Sequence, residues 1–210
     1  MHLSDQGIRA ALAPFGVQVS AAQLIAIRDY LTLLLLWNQK INLTAGNDPI
    51  EILERHFGES QFAAKTVPIA TGRLADVGSG AGFPGLALKI VCPAVQVVLF
   101  ERSGRKAAFL TEVKQRLSLS GVEVRRQNFE DPSVVAGSFD FVTARAIGRP
   151  QRLVSGSHGV LTTGGKLILW LGAEDAIELS RIPGWAWDEP ILVPNSVRRV
   201  LLIGSPLEQI

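Results

Sequence analysis

Cysteine and histidine are scarce in this sequence. Its 210 residues include a single cysteine, Cys92, and three widely separated histidines. One cysteine cannot form an internal disulfide or a thiolate metal cluster, and the histidines lack the spacing of metal ligands. We therefore expect no metal centre and a reducing environment, with Cys92 buried in the apolar run that contains it.

Long apolar segments are missing as well. The most apolar stretch, residues 31–37, is far shorter than the ~20 residues that a membrane-spanning helix needs. The first residues show no basic region followed by an apolar one, which is the pattern of a targeting segment. We therefore expect a cytoplasmic protein without a membrane partner.

Charged residues are few, and their number excludes a disordered chain. They make up 19% of the sequence, below the ~25% of typical soluble domains, whereas the 47% of hydrophobic residues is enough to fill a core. Arginine pairs with phosphate and stacks on bases, so the basic clusters are either solvated surface charge or a local basic face for nucleic acid. These clusters are Arg102, Arg105 and Lys106; Arg125 and Arg126; Arg145, Arg149 and Arg152; and Arg198 and Arg199.

The chain shows two successive patterns. Residues 1–66 are predicted to be helical, because Ser20 and Gln23 form a capping-box signature and Asp48-Pro49 opens a second helix. From residue 73, β-rich runs alternate with helical ones, as in a parallel sheet with helices on both faces. We predict a helical N-terminal extension, residues 1–66, packed on an α/β domain, residues 67–210. One face of the second helix is expected to carry Ile50, Ile52, Leu53, Phe57 and Phe62.

The predicted strands direct the search for a site. Ligands of such sheets bind beyond the carboxyl ends of the strands, so residues that follow a strand are the first candidates. Strands are predicted at 74–77, 95–100, 122–126, 139–143, 166–171 and 197–203, and helices at 84–91, 105–119, 150–161 and 173–179.

The most informative segment is the glycine-rich turn after the first strand. Gly78, Gly80 and Gly82 alternate there, so the backbone can bend sharply and approach a ligand where a Cβ would clash. Asp76 precedes them, and a carboxylate suits a ligand with a cationic or hydroxyl-rich part. This favours the D-x-G-x-G-x-G turn of enzymes that use S-adenosylmethionine (SAM), which carries an ammonium and a sulfonium.

Two other interpretations of this turn stay open. The segment from Gly80 to Gly85 also satisfies the dinucleotide pattern G-x-G-x-x-G. That match starts two residues late, however, and Asp76 would place negative charge near the phosphates. A purely structural glycine turn is the third interpretation.

Candidate ligand-binding residues follow the next strands. Glu101 can accept hydrogen bonds from the ribose hydroxyls of an adenosine, or is a surface acid. Phe129 can flank an adenine and Glu130 can accept its amino hydrogens, or Glu130 is an acid at a helix start. Phe83 can line the same pocket or pack a helix, and Arg145 can bind a ligand carboxylate, an RNA phosphate or Asp76.

Four blocks of residues resemble a known family. They are the segment 37–44 (WNQKINLT), Arg55-His56 with Glu59-Ser60, the turn 76–85 (DVGSGAGFPG), and Arg145-Ala146. Together they are similar to the RsmG (GidB) 16S ribosomal RNA methyltransferases, over nearly the whole chain. The family often has Asp at the position of Glu59, so the carboxylate is kept.

The resemblance implies both a fold and an activity. The implied fold is an α/β, Rossmann-like class I SAM-dependent methyltransferase, with a mostly parallel sheet of the seven-stranded type, helices on both faces and a helical N-terminal extension. The implied activity is methylation of a guanine N7 in the helix 18 loop of 16S rRNA. The resemblance also implies S-adenosyl-L-methionine as cofactor, with contacts at Gly78, Phe83, Phe129, Glu130 and Arg145.

The implied chemistry needs little from the protein beyond alignment. Guanine N7 carries a free lone pair, so no general base is required, and no residue is assigned as catalytic. His56 is expected to be a helix-surface or interface residue. The expected partner is 16S rRNA, as free RNA, in the small subunit or in an assembly intermediate. We expect the RNA to contact Arg55, Arg102 and Lys106. A nicotinamide-dependent oxidoreductase and a non-catalytic RNA-binding protein are the rival hypotheses.

Overall fold

The computed structural model describes residues 3–131, 133–134, 136–146 and 148–207, and its second helix begins at the predicted capping box. Helix α1 is Asp5–Leu12, a 3-10 turn covers Ala13–Phe15, and α2 is Ala21–Asn38. The capping box of α2 is confirmed, because Gln23 N donates to Ser20 Oγ at 3.2 Å and Ser20 N donates to Gln23 Oε1 at 2.8 Å.

The second helical run contains a turn that the sequence did not predict. Helix α3 is Pro49–Ile52, with the Asp48 side chain as its N-cap, and α4 is Glu59–Thr66. Between them, Leu53–Gly58 forms a π-helical turn, in which Glu59 N donates to Glu54 O. The predicted apolar face is only partly correct. Ile50, in the first turn, is 38% exposed, Phe62 is half-buried, and Ile52, Leu53 and Phe57 are fully buried.

One sheet follows, with the order β3-β2-β1-β4-β5-β8-β6 and β7 beside β8. The first five strands are parallel, and β8 runs antiparallel to β5 and to the short strands β6 and β7. Because β6 and β7 share the outer edge of β8, the sheet has seven positions. The strands are β1 Arg73–Val77, β2 Gln96–Phe100, β3 Val122–Arg125, β4 Phe139–Arg145, β5 Leu161–Gly172, β6 Trp185–Trp187, β7 Ile191–Leu192 and β8 Arg199–Pro206.

Helices cover both faces of the sheet, as predicted. They are α5 Gly85–Val91, α6 Gly104–Arg116, α7 Pro150–Val160 and α8 Ala173–Leu179. The predicted end of α6 at residue 119 is wrong, because Ser118 takes a left-handed conformation (φ +50°) that a helix cannot continue. Alternate residues of the strands, such as Leu74 and Ala75, belong to two different apolar cores.

The N-terminal helices share one of these cores with the sheet. Side chains of α2 such as Leu24, Ile27 and Tyr30 lie in the same cluster as Leu74 of β1 and Leu99 of β2. A domain boundary at residue 66 stays a prediction. Cys92 is buried and unpaired. Within the described residues, no helix has the length and apolar character to cross a membrane, and no group of three potential metal ligands occurs.

Candidate functional site

Two neighbouring cavities open at the carboxyl ends of the parallel strands, and Gly78 lines both. The larger has a volume of about 520 Å³ and lies over the ends of β1 and β2. The smaller has about 210 Å³ and lies toward β4. The larger is lined by Val77, Gly78, Phe100, Glu101, Arg102, Gln127, Asn128, Phe129, Glu130, Arg149, Arg152 and Leu153. The smaller is lined by Leu43, Thr44, His56, Gly78, Ser79, Gly80, Ala81, Phe83, Lys106, Arg145 and Ala146.

The glycine turn forms the ridge between the cavities. Gly78, Gly80 and Gly82 all have left-handed backbones, with φ of +71°, +56° and +87°, a region that glycine enters without strain. A Cβ at Gly78 would meet open space, whereas one at Gly82 would overlap the hydroxyl of Tyr30. Gly78 therefore leaves room for a ligand, and Gly82 leaves room for a side chain of α2.

Asp76 lies under the turn and faces neither cavity. Its side chain is fully buried: Oδ2 accepts from Gly85 N at 3.1 Å, and Oδ1 accepts from Thr143 Oγ1 at 3.3 Å. Burial raises the pKa of Asp76 to about 7, against the opposing effect of these hydrogen bonds. Asp76 is not among the residues that line either cavity, and its contact with a ligand stays a prediction. Asp76 instead ties the start of α5 to β1.

Glu101 directly follows β2 and lines the larger cavity. Its Oε2 accepts from Gly80 N at 2.9 Å, and its Oε1 accepts from Ser103 N at 2.7 Å. The carboxylate thus holds the glycine turn and the start of α6 together. A contact between Glu101 and ribose hydroxyls stays a prediction.

Phe129 and Glu130 form the far wall of the larger cavity. The ring of Phe129 is buried and packs edge-on against Phe100, with ring centroids 5.3 Å apart. Glu130 is exposed beside it. The described residues that follow, 131, 133–134 and 136–138, contain no helix. These residues therefore give no support to the alternative interpretation, in which Glu130 lies at the start of a helix.

A stack of three rings backs the smaller cavity. Phe83 lies nearly parallel to Tyr30, at 5.4 Å and 5°, and also stacks on His56, at 5.1 Å and 25°. The Tyr30 hydroxyl donates to Ala81 O at 2.5 Å. Burial, assisted by Arg145, Arg55 and Arg199, lowers the pKa of His56 to about 3, so this imidazole is neutral at physiological pH. In the sequence, His56 stood out only as part of the Arg55-His56 block, and nothing there indicated that it lines a cavity.

Another wall of the smaller cavity comes from the loop after α2. Asn38 organises this loop: its Oδ1 accepts from Leu43 N at 2.8 Å and Thr44 N at 3.0 Å. Its Nδ2 donates to Asn47 Oδ1 at 2.7 Å and to the loop oxygens of Thr44 and Gly46. The block 37–44 therefore encodes a preformed loop that places Leu43 and Thr44 at the site.

Arg145, at the end of β4, reaches the smaller cavity. Its ion-pair partner is Glu59 of α4, with Nη2 and Oε2 3.2 Å apart, and not Asp76, one of the partners considered from the sequence. Burial lowers the pKa of Arg145 to about 10, so the guanidinium stays charged at neutral pH. A positive group therefore lines the smaller cavity, whereas Glu101 and Glu130, which follow β2 and β3, line the larger one.

The predicted RNA-contacting residues separate into two groups. Arg102 lines the larger cavity and Lys106 the smaller one, so both stand at the rim of the site. Arg55 lines neither, and its guanidinium pairs with Glu51 at 2.8 Å. Arg149 and Arg152, at the start of α7, also line the larger cavity. Only their membership of a basic cluster indicated them in the sequence.

The geometry of the turn argues against a dinucleotide. A diphosphate needs the free N–H groups of the turn and of the following helix start. Here Gly80 N donates to the carboxylate of Glu101, and Gly85 N donates to that of Asp76. Two carboxylates thus occupy the donors that a diphosphate would need.

Solved structures with the same fold include SAM-dependent methyltransferases. A putative enzyme of this class from Methanococcus maripaludis superposes with a TM-score of 0.64 over 86% of this chain and 93% of that one, at 13% identity. One from Aquifex aeolicus gives 0.61 over 75% and 93%, at 16% identity. At such identities the likeness shows the fold alone, a Rossmann-like class I methyltransferase fold.

Sequence relatives extend the comparison beyond the fold. The chain is 35% identical over 176 residues to the ribosomal RNA small subunit methyltransferase G of Halorhodospira halophila, covering 84% of this chain and 82% of that one. It is 37% identical over 196 residues to that of Stenotrophomonas maltophilia, covering 92% and 86%. Residues 23–183 match the family model GidB, rRNA small subunit methyltransferase G. The chain therefore belongs to the GidB family, rRNA small subunit methyltransferase G.

Proposed function

We propose that the protein is a SAM-dependent methyltransferase that methylates N7 of a guanine in the helix 18 loop of 16S rRNA. The single observation that carries this proposal is the pair of cavities on either side of Gly78, with carboxylates on one side and Arg145 on the other. Membership of the GidB family supports the rRNA substrate.

The two cavities fit the two ends of the donor. Glu101 and Glu130 in the larger cavity are acceptors suited to ribose hydroxyls and to an exocyclic amine, and Phe100 and Phe129 supply apolar walls. Arg145 in the smaller cavity is suited to the aminoacyl carboxylate. Gly78 lies where the two ends join, so the backbone can lie close to the donor.

The protein's part in the reaction is alignment. Bound SAM supplies an electrophilic methyl group on sulfur. Because the guanine N7 lone pair is free, no proton has to be removed, and no side chain of the smaller cavity is required as a base. The neutral imidazole of His56 adds no positive charge beside a base that becomes cationic on methylation. Rigid walls, built by Asn38 and by the ring stack, hold the reactants in line.

The RNA is held at the rim of the site. Arg102, Arg149 and Arg152 surround the larger cavity, and Lys106 borders the smaller one. Guanidinium and ammonium groups at these positions can bind phosphates on either side of a base that is turned out of its stack. The RNA partner is 16S rRNA, as free RNA, as an assembly intermediate or within the small subunit.

The donor and the reaction can be tested directly. SAM is expected to raise the melting temperature of the protein, and NAD to leave it unchanged. Labelled SAM should transfer its methyl group to 16S rRNA, and mass mapping should place it on a guanine of the helix 18 loop. A shift with NAD alone would support an oxidoreductase. If the protein binds RNA but transfers no methyl group to free 16S rRNA, to an assembly intermediate or to the small subunit, the result would support a non-catalytic RNA-binding protein.

The basic rim can be tested by salt dependence. The double variant Arg102→Ala/Lys106→Ala is expected to lower RNA affinity and to reduce the slope of log affinity against log salt by about 2, because two phosphate contacts are lost. The control is Lys114→Ala/Arg116→Ala, which removes the same charge from the distal end of α6. Equal slopes for both double variants would mean that the rim charges are merely solvated.

A further inference from the structure

Three charged side chains from distant parts of the chain meet behind the smaller cavity. Glu59 of α4 is 1% exposed, and its Oε1 accepts from Arg199 Nε at 2.8 Å and lies 2.6 Å from Arg199 Nη2. Its Oε2 lies 3.2 Å from Arg145 Nη2. One buried carboxylate thus joins the end of β4 to the start of β8.

The backbone around Glu59 has several constraining features. Glu59 directly follows the π turn, and π turns are frequent at functional sites. The backbone carbonyl of Glu59 accepts from Trp170 Nε1 at 2.8 Å. Gly58 lies directly on the ring of Phe15, where any Cβ would overlap the ring. Contacts at Gly58 and at the backbone carbonyl of Glu59 therefore hold the part of the helix that carries this carboxylate.

The charges of the cluster do not balance. One carboxylate faces two guanidinium groups, so a net positive charge remains. Two atoms of the cluster are buried without a hydrogen-bond partner among the described residues: Nη1 of Arg145, and Oε2 of Glu59, which contacts Arg145 only as an ion pair. Arg145 lines the smaller cavity. A buried, unpaired guanidinium nitrogen is costly to maintain, and an anion that reached Nη1 from the cavity would satisfy it.

We propose that Glu59 is a positioning residue that turns Arg145 so that its free nitrogen receives the carboxylate of the methyl donor's aminoacyl end. The proposal rests on the proposed function for the identity of that carboxylate. Without the charge of Glu59, the guanidinium groups of Arg145 and of the partly exposed Arg199 would repel each other, and this repulsion would turn Arg145 away from the cavity. Arg199 completes the arrangement by holding the other oxygen of Glu59.

A pair of ligands separates positioning from mere folding. S-adenosylhomocysteine has the aminoacyl end, whereas 5′-methylthioadenosine has the same nucleoside and lacks that end. Calorimetry is expected to show that Glu59→Gln weakens binding of S-adenosylhomocysteine by about tenfold or more. Binding of methylthioadenosine should stay within about twofold of wild type. Equal losses for both ligands, or unchanged or tighter binding of S-adenosylhomocysteine, would overturn the proposal.

Four further variants complete the experiment. Arg145→Ala should show the same ligand selectivity, and adding Glu59→Gln to it should cause no further loss, because the two residues act through one contact. Glu51→Gln is the matched control, since it removes a half-exposed carboxylate that pairs with Arg55 on the same helical run. It should leave both affinities unchanged.

Glu59→Asp keeps the charge on a shorter side chain. It is expected to bind S-adenosylhomocysteine with an affinity between those of wild type and Glu59→Gln. If Glu59→Gln fails to fold and the Asp variant binds like wild type, Glu59 serves folding alone and the proposal fails. A wild-type protein that binds neither ligand would contradict the proposed function itself, which is a separate result.

Discussion

The buried carboxyl of Asp76 makes stability depend on pH in a way that one substitution can isolate. Asp76→Asn keeps the shape of the side chain and removes its ionisation. The amide oxygen can still accept from Gly85 N. The amide NH₂ can donate to Thr143 Oγ1, because that hydroxyl lies 3.2 Å from Ala75 O and can turn its own hydrogen there. At pH 5 the variant is therefore expected to be about as stable as wild type.

The sign and size of the effect follow from the pKa. The folded protein raises the pKa of Asp76 to about 7, from 3.8 for an ordinary Asp. The folded state thus holds the proton more tightly, so this stabilisation is complete below pH 3.8 and is lost as the pH rises through 7. One pKa unit corresponds to about 1.4 kcal/mol, so a shift of roughly three pKa units contributes ~4 kcal/mol to the free energy of unfolding. About 2.5 kcal/mol of this contribution is lost between pH 5 and pH 8.

Urea unfolding of wild type and variant at pH 5, 6, 7 and 8 measures this difference. Groups other than Asp76 titrate alike in both proteins, so subtracting the two free energies of unfolding isolates the carboxyl. As the pH rises from 5 to 8, the free energy of unfolding of the variant should increase by about 2.5 kcal/mol relative to that of wild type. A difference that stays constant with pH would show that Asp76 is ionised and well solvated throughout, and would refute the reasoning.

Two further predictions concern the contact between α2 and the glycine turn. Tyr30→Phe keeps the ring stack but leaves the carbonyl of Ala81 without its buried donor, so chemical denaturation should show a loss of about 1–3 kcal/mol. An unchanged free energy of unfolding would mean that water replaces the hydroxyl. Gly82→Ala should destabilise far more than Gly80→Ala in the same assay. Both have positive φ, but only at Gly82 would the new methyl group overlap a buried side chain. Equal losses would reduce the effect to backbone strain.

The sequence predicts the fold well where its signals are local. The capping box at Ser20 and the alternation of strands and helices after residue 73 both correspond to observed elements. Strands β6 and β7 were missed because segments of three and two residues are too short to show alternation. The π turn was missed because it changes the spacing of hydrogen bonds without changing the apolar pattern.

The candidate site was predictable in position but not in detail. Their positions after predicted strands made Glu101, Phe129 and Arg145 candidate site residues, and each of them lines a cavity. The burial of Asp76 and the pairing of Arg145 with Glu59 depend on contacts between residues 9 to 86 positions apart. No local pattern records such contacts, so only the folded arrangement shows which of the acids can face a ligand.

The hydroxyl of Tyr30 connects the second helix of the chain to the ridge on which a ligand would lie. Occupancy of the cleft and local opening of that helix are consequently linked processes, since each is sensitive to the conformation of one peptide carbonyl. A bound molecule that steadies the ridge should slow amide hydrogen exchange in residues 21–38, although it touches none of them. By the same reciprocity, local unfolding of this helix would loosen the cleft, although no residue of the helix lines it.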